Sequence, residues 1–131
     1  MSIELQMLVW SMVLGIVYIL VAATASAMRR GGRWAAGSRD EPGAPLTGVA
    51  GRLDRARGNF LETFPFFAAA VLAVAALNRY RDMTALGAQL YFWGRLIYLP
   101  LYASGIYLVR SIAWFVATAG IAMLLVALLQ G

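Results

Sequence analysis

One short stretch of the chain, RLDRARGNFLETFPFF (residues 52–67), concentrates polar side chains at the mouth of a long apolar run. Wound into a helix, Arg52, Arg55, Asn59 and Glu62 fall within about 80° of one another, while Asp54 and Arg57 point toward a loop or headgroups. The four share i, i+3 and i+4 spacings, close enough to hold one ligand together or to pair among themselves. Pro65, one turn on, removes a backbone hydrogen bond and permits a bend. A second stripe lies in YFWGRLIYLPLYASG, where Tyr91, Arg95, Tyr98 and Tyr102 share about 60° of a helix face. Arg95 is roughly mid-segment, where a charge is expensive and faces protein or water. Arg110 and Ser111 open the last apolar segment. Arginines relieved by one carboxylate and one amide complement a ligand with several carboxylates and one ammonium group. Guanidinium forks bind carboxylates bidentately, and Glu62 would take the ammonium.

The elements that must position these residues are membrane helices. Of 131 residues, 62% are hydrophobic and 13% charged, about half the charge of an ordinary soluble domain. Four apolar segments, Ile3–Met28, about Phe60–Leu77, about Met83–Ser104 and Ser111–Gln130, are long enough to cross a bilayer, where roughly 20 residues are needed. The predicted helices run over about 3–28, 47–78, 83–104 and 110–130 in one domain covering 1–131, an all-α integral membrane protein. MSIELQMLVW lacks a basic leading region and carries Glu4, so the first segment is expected to stay as a helix rather than be cleaved. The first connection is rich in glycine and proline (Gly31, Gly32, Gly37, Pro42, Gly43, Pro45) and is expected to be a loop. Thr47 is placed to cap the helix that follows. The other connections are short, which forces antiparallel neighbours in an up-down-up-down four-helix bundle. Arginine is densest in and just after the first connection, which positive-inside puts in the cytoplasm with both termini outside.

All eleven basic residues are arginine, and Cys, His and Lys are absent. No disulfide, thiol nucleophile, thiolate metal site or histidine base is available, and no metal or nucleic-acid partner is expected. An arginine stays charged, so it is a poor base and a good stabiliser of an anion. Simpler roles compete. Arg29, Arg30, Arg33 and Arg39 would serve as lipid-headgroup anchors, Arg52 and Arg57 would snorkel to phosphates, and Tyr98 and Tyr102 would join an interfacial aromatic belt. Glu62 and Arg95 would form a structural intramembrane pair. The alanines of residues 68–76 would be helix-packing surface, and Pro100 a kink.

The stretch from Arg52 to Pro65 closely resembles the helix-2 signature of the MAPEG family, membrane-associated proteins in eicosanoid and glutathione metabolism. The signature, R-x-x-R-A-x-x-N-x-x-E-x-x-P, fits without a gap. The paired arginines ending the first helix, the proline-rich loop and the R-x-x-Y-x-x-x-Y run of Arg95, Tyr98 and Tyr102 are similar too. The resemblance implies homotrimers of four-helix protomers, with glutathione as cosubstrate in clefts between subunits. It implies that Arg55, Asn59 and Glu62, with Arg52 nearby, bind glutathione, and that Arg95, Tyr98 and Tyr102 line the same cleft. Arg29 or Arg30 would reach in from the adjacent subunit, and Arg110 would stabilise the thiolate, with Ser111 as the second choice.

A thiol ionises near pH 8.5, and each unit of lowering takes about 1.4 kcal/mol of preferential thiolate stabilisation. One guanidinium out of bulk water supplies that. The thiolate would attack a small apolar electrophile or a lipid peroxide arriving through membrane lipids. Thr63 stands where one eukaryotic branch has an aromatic residue, and the step from Tyr102 to Arg110 is one residue longer than expected. Short arginine-rich chains of this kind look bacterial, so the expectation is an inner-membrane glutathione transferase or peroxidase rather than an eicosanoid synthase. Two rivals are a non-catalytic protein of the same fold that binds a lipid or other anionic ligand, and a small exporter.

Overall fold

The computed structural model describes Met1–Gly131, which fold as α1 (Ile3–Arg30), α2 (Gly32–Ala36), α3 (Gly48–Leu77), α4 (Asp82–Ala103) and α5 (Tyr107–Gln130). Ser2 caps α1 by accepting a hydrogen bond from the Leu5 amide at 3.2 Å. At the end of α3, Asn78 turns left-handed (φ 52) and the Arg79 amide bonds back to the Val74 carbonyl at 3.0 Å. Gly105 (φ 83) plays the same part after α4, where the Ile106 amide reaches the Leu101 carbonyl at 3.2 Å. Both are Schellman endings, which satisfy carbonyls a helix terminus would otherwise leave open.

α1 packs on α3 and α4, and α5 packs on α4 and α3, so α3 and α4 hold the centre. Glu4 meets Thr84 and Tyr18 meets Arg95, so α1 and α4 run the same way. The two core clusters are stacked along the axis. One is built on Phe67, Val71, Val74 and Leu124, and the other, nearer the arginines, on Tyr18, Ala56, Phe60 and Tyr98. The outward faces carry large apolar side chains such as Trp10, Leu20, Phe66, Trp93 and Phe115, a surface suited to lipid.

Two expectations need correction. The first connection contains a short helix, GRWAA, between Gly31 and Gly37; those glycines bound the helix instead of preventing it. The last helix starts at Tyr107, not near residue 110, because the Gly105 turn is complete by Ile106. Three helices, α1, α3 and α5, are long and apolar enough to cross a membrane. α4 is of comparable length and carries Thr84 and Arg95 among its buried residues. Thr47 does stand at the N-terminus of α3, but its side chain makes no capping bond.

The tightest helix contact lies between α4 and α5, at glycines rather than at the alanines of α3. A Cβ at Gly87 would sit 2.7 Å from the Gly120 carbonyl oxygen, and one at Gly120 would sit 2.9 Å from the Tyr91 amide nitrogen. Both neighbours are backbone, so only a shift of the helices would make room. Gly120→Ala should therefore destabilise the protein by about 1–3 kcal/mol, read as a lower thermal midpoint in detergent. An unchanged midpoint would mean that α4 and α5 are not packed this closely.

Candidate functional site

The stripes on α3 and α4 face one another and join through specific contacts. Arg52 Nε donates to the Ala103 carbonyl at 3.0 Å, and Arg55 Nε donates to the Tyr102 hydroxyl at 3.1 Å. One turn deeper, an Arg95 terminal nitrogen donates to Asn59 Oδ1 at 2.8 Å. Arg95 has no exposed surface. Its guanidinium lies over the rings of Tyr98, Phe60 and Tyr18, with centroids 4.3, 5.4 and 5.5 Å away. Tyr18 also donates its hydroxyl to the Arg95 carbonyl at 2.5 Å. The rest of that guanidinium, Nε and the second terminal nitrogen, has no hydrogen-bond partner.

At the end of the stripes, Arg52, Arg55 and Arg110 surround a recess of about 180 Å³ with Tyr102, Gly105 and Tyr107. The Arg110 guanidinium packs over the Tyr102 ring at 4.5 Å, and that of Arg55 approaches the same ring at 5.9 Å. No carboxylate lines this recess, which makes it an anion site by composition. A second recess of about 200 Å³ is lined by Asn59, Tyr98, Arg110, Ser111, Trp114 and Phe115. Arg110 belongs to both. The first turn of α5 puts it there, with its Nε on the Tyr107 carbonyl at 3.4 Å. The arrangement offers three cations to an extended anionic ligand on one side, and aromatic walls to an apolar group on the other.

Of the residues expected at one site, Arg52, Arg55, Asn59, Arg95, Tyr98, Tyr102, Arg110 and Ser111 come together in the protomer. Ser111 lines the second recess, but its hydroxyl donates back to the Tyr107 carbonyl at 2.9 Å. Glu62 does not join them. It is exposed on α3 between Leu61 and Phe66, which are also exposed, and takes no ion pair. The Glu62–Arg95 pair does not form, because Asn59 is the group that reaches the guanidinium. The one ion pair in the protein is Arg57 with Asp54, at 3.0 Å. Arg29 and Arg30 also lie elsewhere, donating to the Pro45 and Ala44 carbonyls of the first connection.

Tyr18, Tyr107 and Trp114 are additions that the motif did not single out. Tyr18 had a signal: Glu4, Ser11 and Tyr18 repeat every seventh residue, and all three are buried. Tyr107 and Trp114 had none, since their place depends on where the turn at Gly105 aims α5.

Asn59 thus serves stability as well as any ligand. Asn59→Ala would strip the buried Arg95 guanidinium of its one hydrogen bond, at a cost of about 1–3 kcal/mol. A thermal midpoint that falls with no ligand present is the expected result; a purely ligand-binding Asn59 would leave it unmoved.

The family model for the MAPEG family matches residues 7–130. No curated protein and no solved structure matches the chain significantly.

Proposed function

The chain belongs to the MAPEG family and is an integral membrane protein; from that premise we propose that it is a glutathione transferase, with glutathione peroxidase activity toward lipid peroxides as a variant of the same chemistry. The observation that carries this is the pair of recesses joined at Arg110. Glutathione, with two carboxylates and one ammonium group, presents its anionic groups to Arg52 and Arg55 in the first. Its sulfur comes to Arg110, and an apolar electrophile lies against Trp114 and Phe115 in the second.

The chemistry follows from the side chains available. Arg110 cannot remove the thiol proton, which leaves to water. What the guanidinium does is make the thiolate cheaper by facing it with a fixed positive charge away from bulk solvent. The sulfur pair then forms a bond to carbon, and the leaving group departs with the electrons of the broken bond. The Ser111 hydroxyl, bonded back to the helix, is the lesser candidate for this role.

We further propose a homotrimer of four-helix transmembrane protomers, with α4 completing each bundle. Glu62 supports this. A carboxylate on the lipid-facing side of a spanning helix is costly, and an adjacent subunit would cover it. Glutathione would then sit between subunits, with its ammonium group at Glu62 and with Arg29 or Arg30 of the neighbour on a carboxylate. Leaving those two arginines outside the protomer's own recess is what a shared site requires. The first connection would face the cytoplasm, both termini the far side, and a bacterial inner membrane would be the setting.

A titration of glutathione thiolate by its ultraviolet difference signal tests the assignment on the detergent-solubilised protein. Wild type should bind thiolate saturably at neutral pH, with ionisation about 1–2 units below the free thiol. Arg110→Ala should return it to the free value. A signal that survives the substitution would move the role to Arg95 or Ser111, and binding without ionisation would leave a non-catalytic anion-binding protein.

Glu62→Gln should weaken glutathione binding by about tenfold through loss of one charge-assisted contact, measured by the same saturation curve. Covalent crosslinking of wild type should stop at three chains. A ladder ending at one or two would remove the shared site.

A further inference from the structure

A further cavity is separate from the polar stripes. About 400 Å³ lies under the first connection, between the second half of α1, α2 and the start of α3. Of the residues assigned above to glutathione, Arg30 alone lines it. The floor is Ile19, Ala22 and Ala23, from the apolar body of α1, and the rim carries Arg30, Arg39 and Arg57. Ile19 and Arg30 are about 16 Å apart along the helix, so the cavity runs from headgroup level into the hydrocarbon.

The rim is built, not incidental. The guanidiniums of Arg30 and Arg39 pack against the Trp34 ring at 4.8 and 5.3 Å. The Trp34 indole donates to the Glu41 carbonyl at 2.7 Å, and Arg30 and Arg39 donate to the Ala44 and Ala35 carbonyls at 2.8 and 3.0 Å. These bonds hold the connection folded over the cavity. Three rim cations face one carboxylate, Asp54, and that one is already bound to Arg57. The remaining positive charge sits beside a tryptophan, a residue that prefers the membrane interface.

Excess cation at headgroup depth over an apolar floor matches an amphiphile with an anionic head. We propose that this cavity binds one anionic phospholipid of the surrounding leaflet, its phosphate at Arg30 and Arg39 beside Trp34 and an acyl chain along Ile19, Ala22 and Ala23. A soluble anion would leave the floor unused, and a zwitterionic lipid would leave the net charge unanswered. The site does not depend on the glutathione reading.

The test uses the purified full-length protein in detergent, titrated with phosphatidylglycerol, phosphatidylcholine or soluble glycerol phosphate. Bound lipid is counted by native mass spectrometry. Phosphatidylglycerol should bind at one copy per chain and at least ten times more tightly than phosphatidylcholine. The double variant Arg30→Gln/Arg39→Gln should weaken it about 30-fold, as expected for two guanidiniums near an anionic surface. Ala23→Trp, which fills the floor and keeps the arginines, should also abolish it, while Arg110→Gln should leave it intact. Equal binding of phosphatidylcholine, equal binding of glycerol phosphate, survival of binding in both cavity variants, or no bound lipid in wild type would each overturn the proposal. The lipid preference of wild type decides the matter even if the double variant fails to fold.

Discussion

A guanidinium with no exposed surface sits where α1, α3 and α4 converge, and much of the protein's polar organisation follows from accommodating it. An isolated buried charge is expensive unless it is hydrogen-bonded or otherwise compensated. Here the compensation is one amide, Asn59, and the faces of Tyr98, Phe60 and Tyr18. Cation–π contacts gain about 0.5–2 kcal/mol each, most where water is excluded. Each contributing ring comes from a different helix, so holding Arg95 also sets how those helices are rotated. Tyr18 does so twice, by its ring and by its hydroxyl on the Arg95 backbone.

Above that centre α3 and α4 open into a recess lined by cations. Arg52 and Arg55 spend one nitrogen each on α4, which leaves their remaining donors directed at the recess. Arg110 reaches the same recess from α5 because the Gly105 turn is tight. The buried arginine and those lining the recess thus differ by depth. The deep one has one amide and aromatic faces for partners, with two nitrogens left without hydrogen bonds, and the outer three have only partial partners. With no histidine, lysine or cysteine in the chain, charge stabilisation is the chemistry these groups can perform, and proton abstraction is not.

The first connection is more ordered than its glycines and prolines suggest. Four side chains, Arg29, Arg30, Trp34 and Arg39, bond to backbone carbonyls within or beside it. Such carbonyls have no partner in a helix or sheet, and the guanidiniums and the indole supply donors to them. The loop is pinned by the arginines that composition alone assigns to headgroups. Arg39 also adopts a left-handed backbone (φ 61), which turns the chain back toward α2.

Periodicity settles which residues share a helix face, and this was legible throughout: Arg52, Arg55 and Asn59 on α3, and Arg95, Tyr98 and Tyr102 on α4. Composition likewise settled the all-helical, membrane-spanning character and the restriction to arginine chemistry, because hydropathy and residue type are properties of the chain itself. What periodicity cannot supply is the rotation and axial offset between helices, which depend on packing at contacts such as Gly87 against Gly120. Tertiary structure therefore decided that Arg95 takes Asn59 and not Glu62, and that Arg30 is held by the first connection. It also decided that Trp114 and Tyr107 border the recesses, since a turn of three residues, not any motif, aims the last helix. Glu62 shows the division most plainly. Its place on α3 was written in its spacing from Asn59, but whether it faced the core or the outside was set by the other helices, and they leave it facing out.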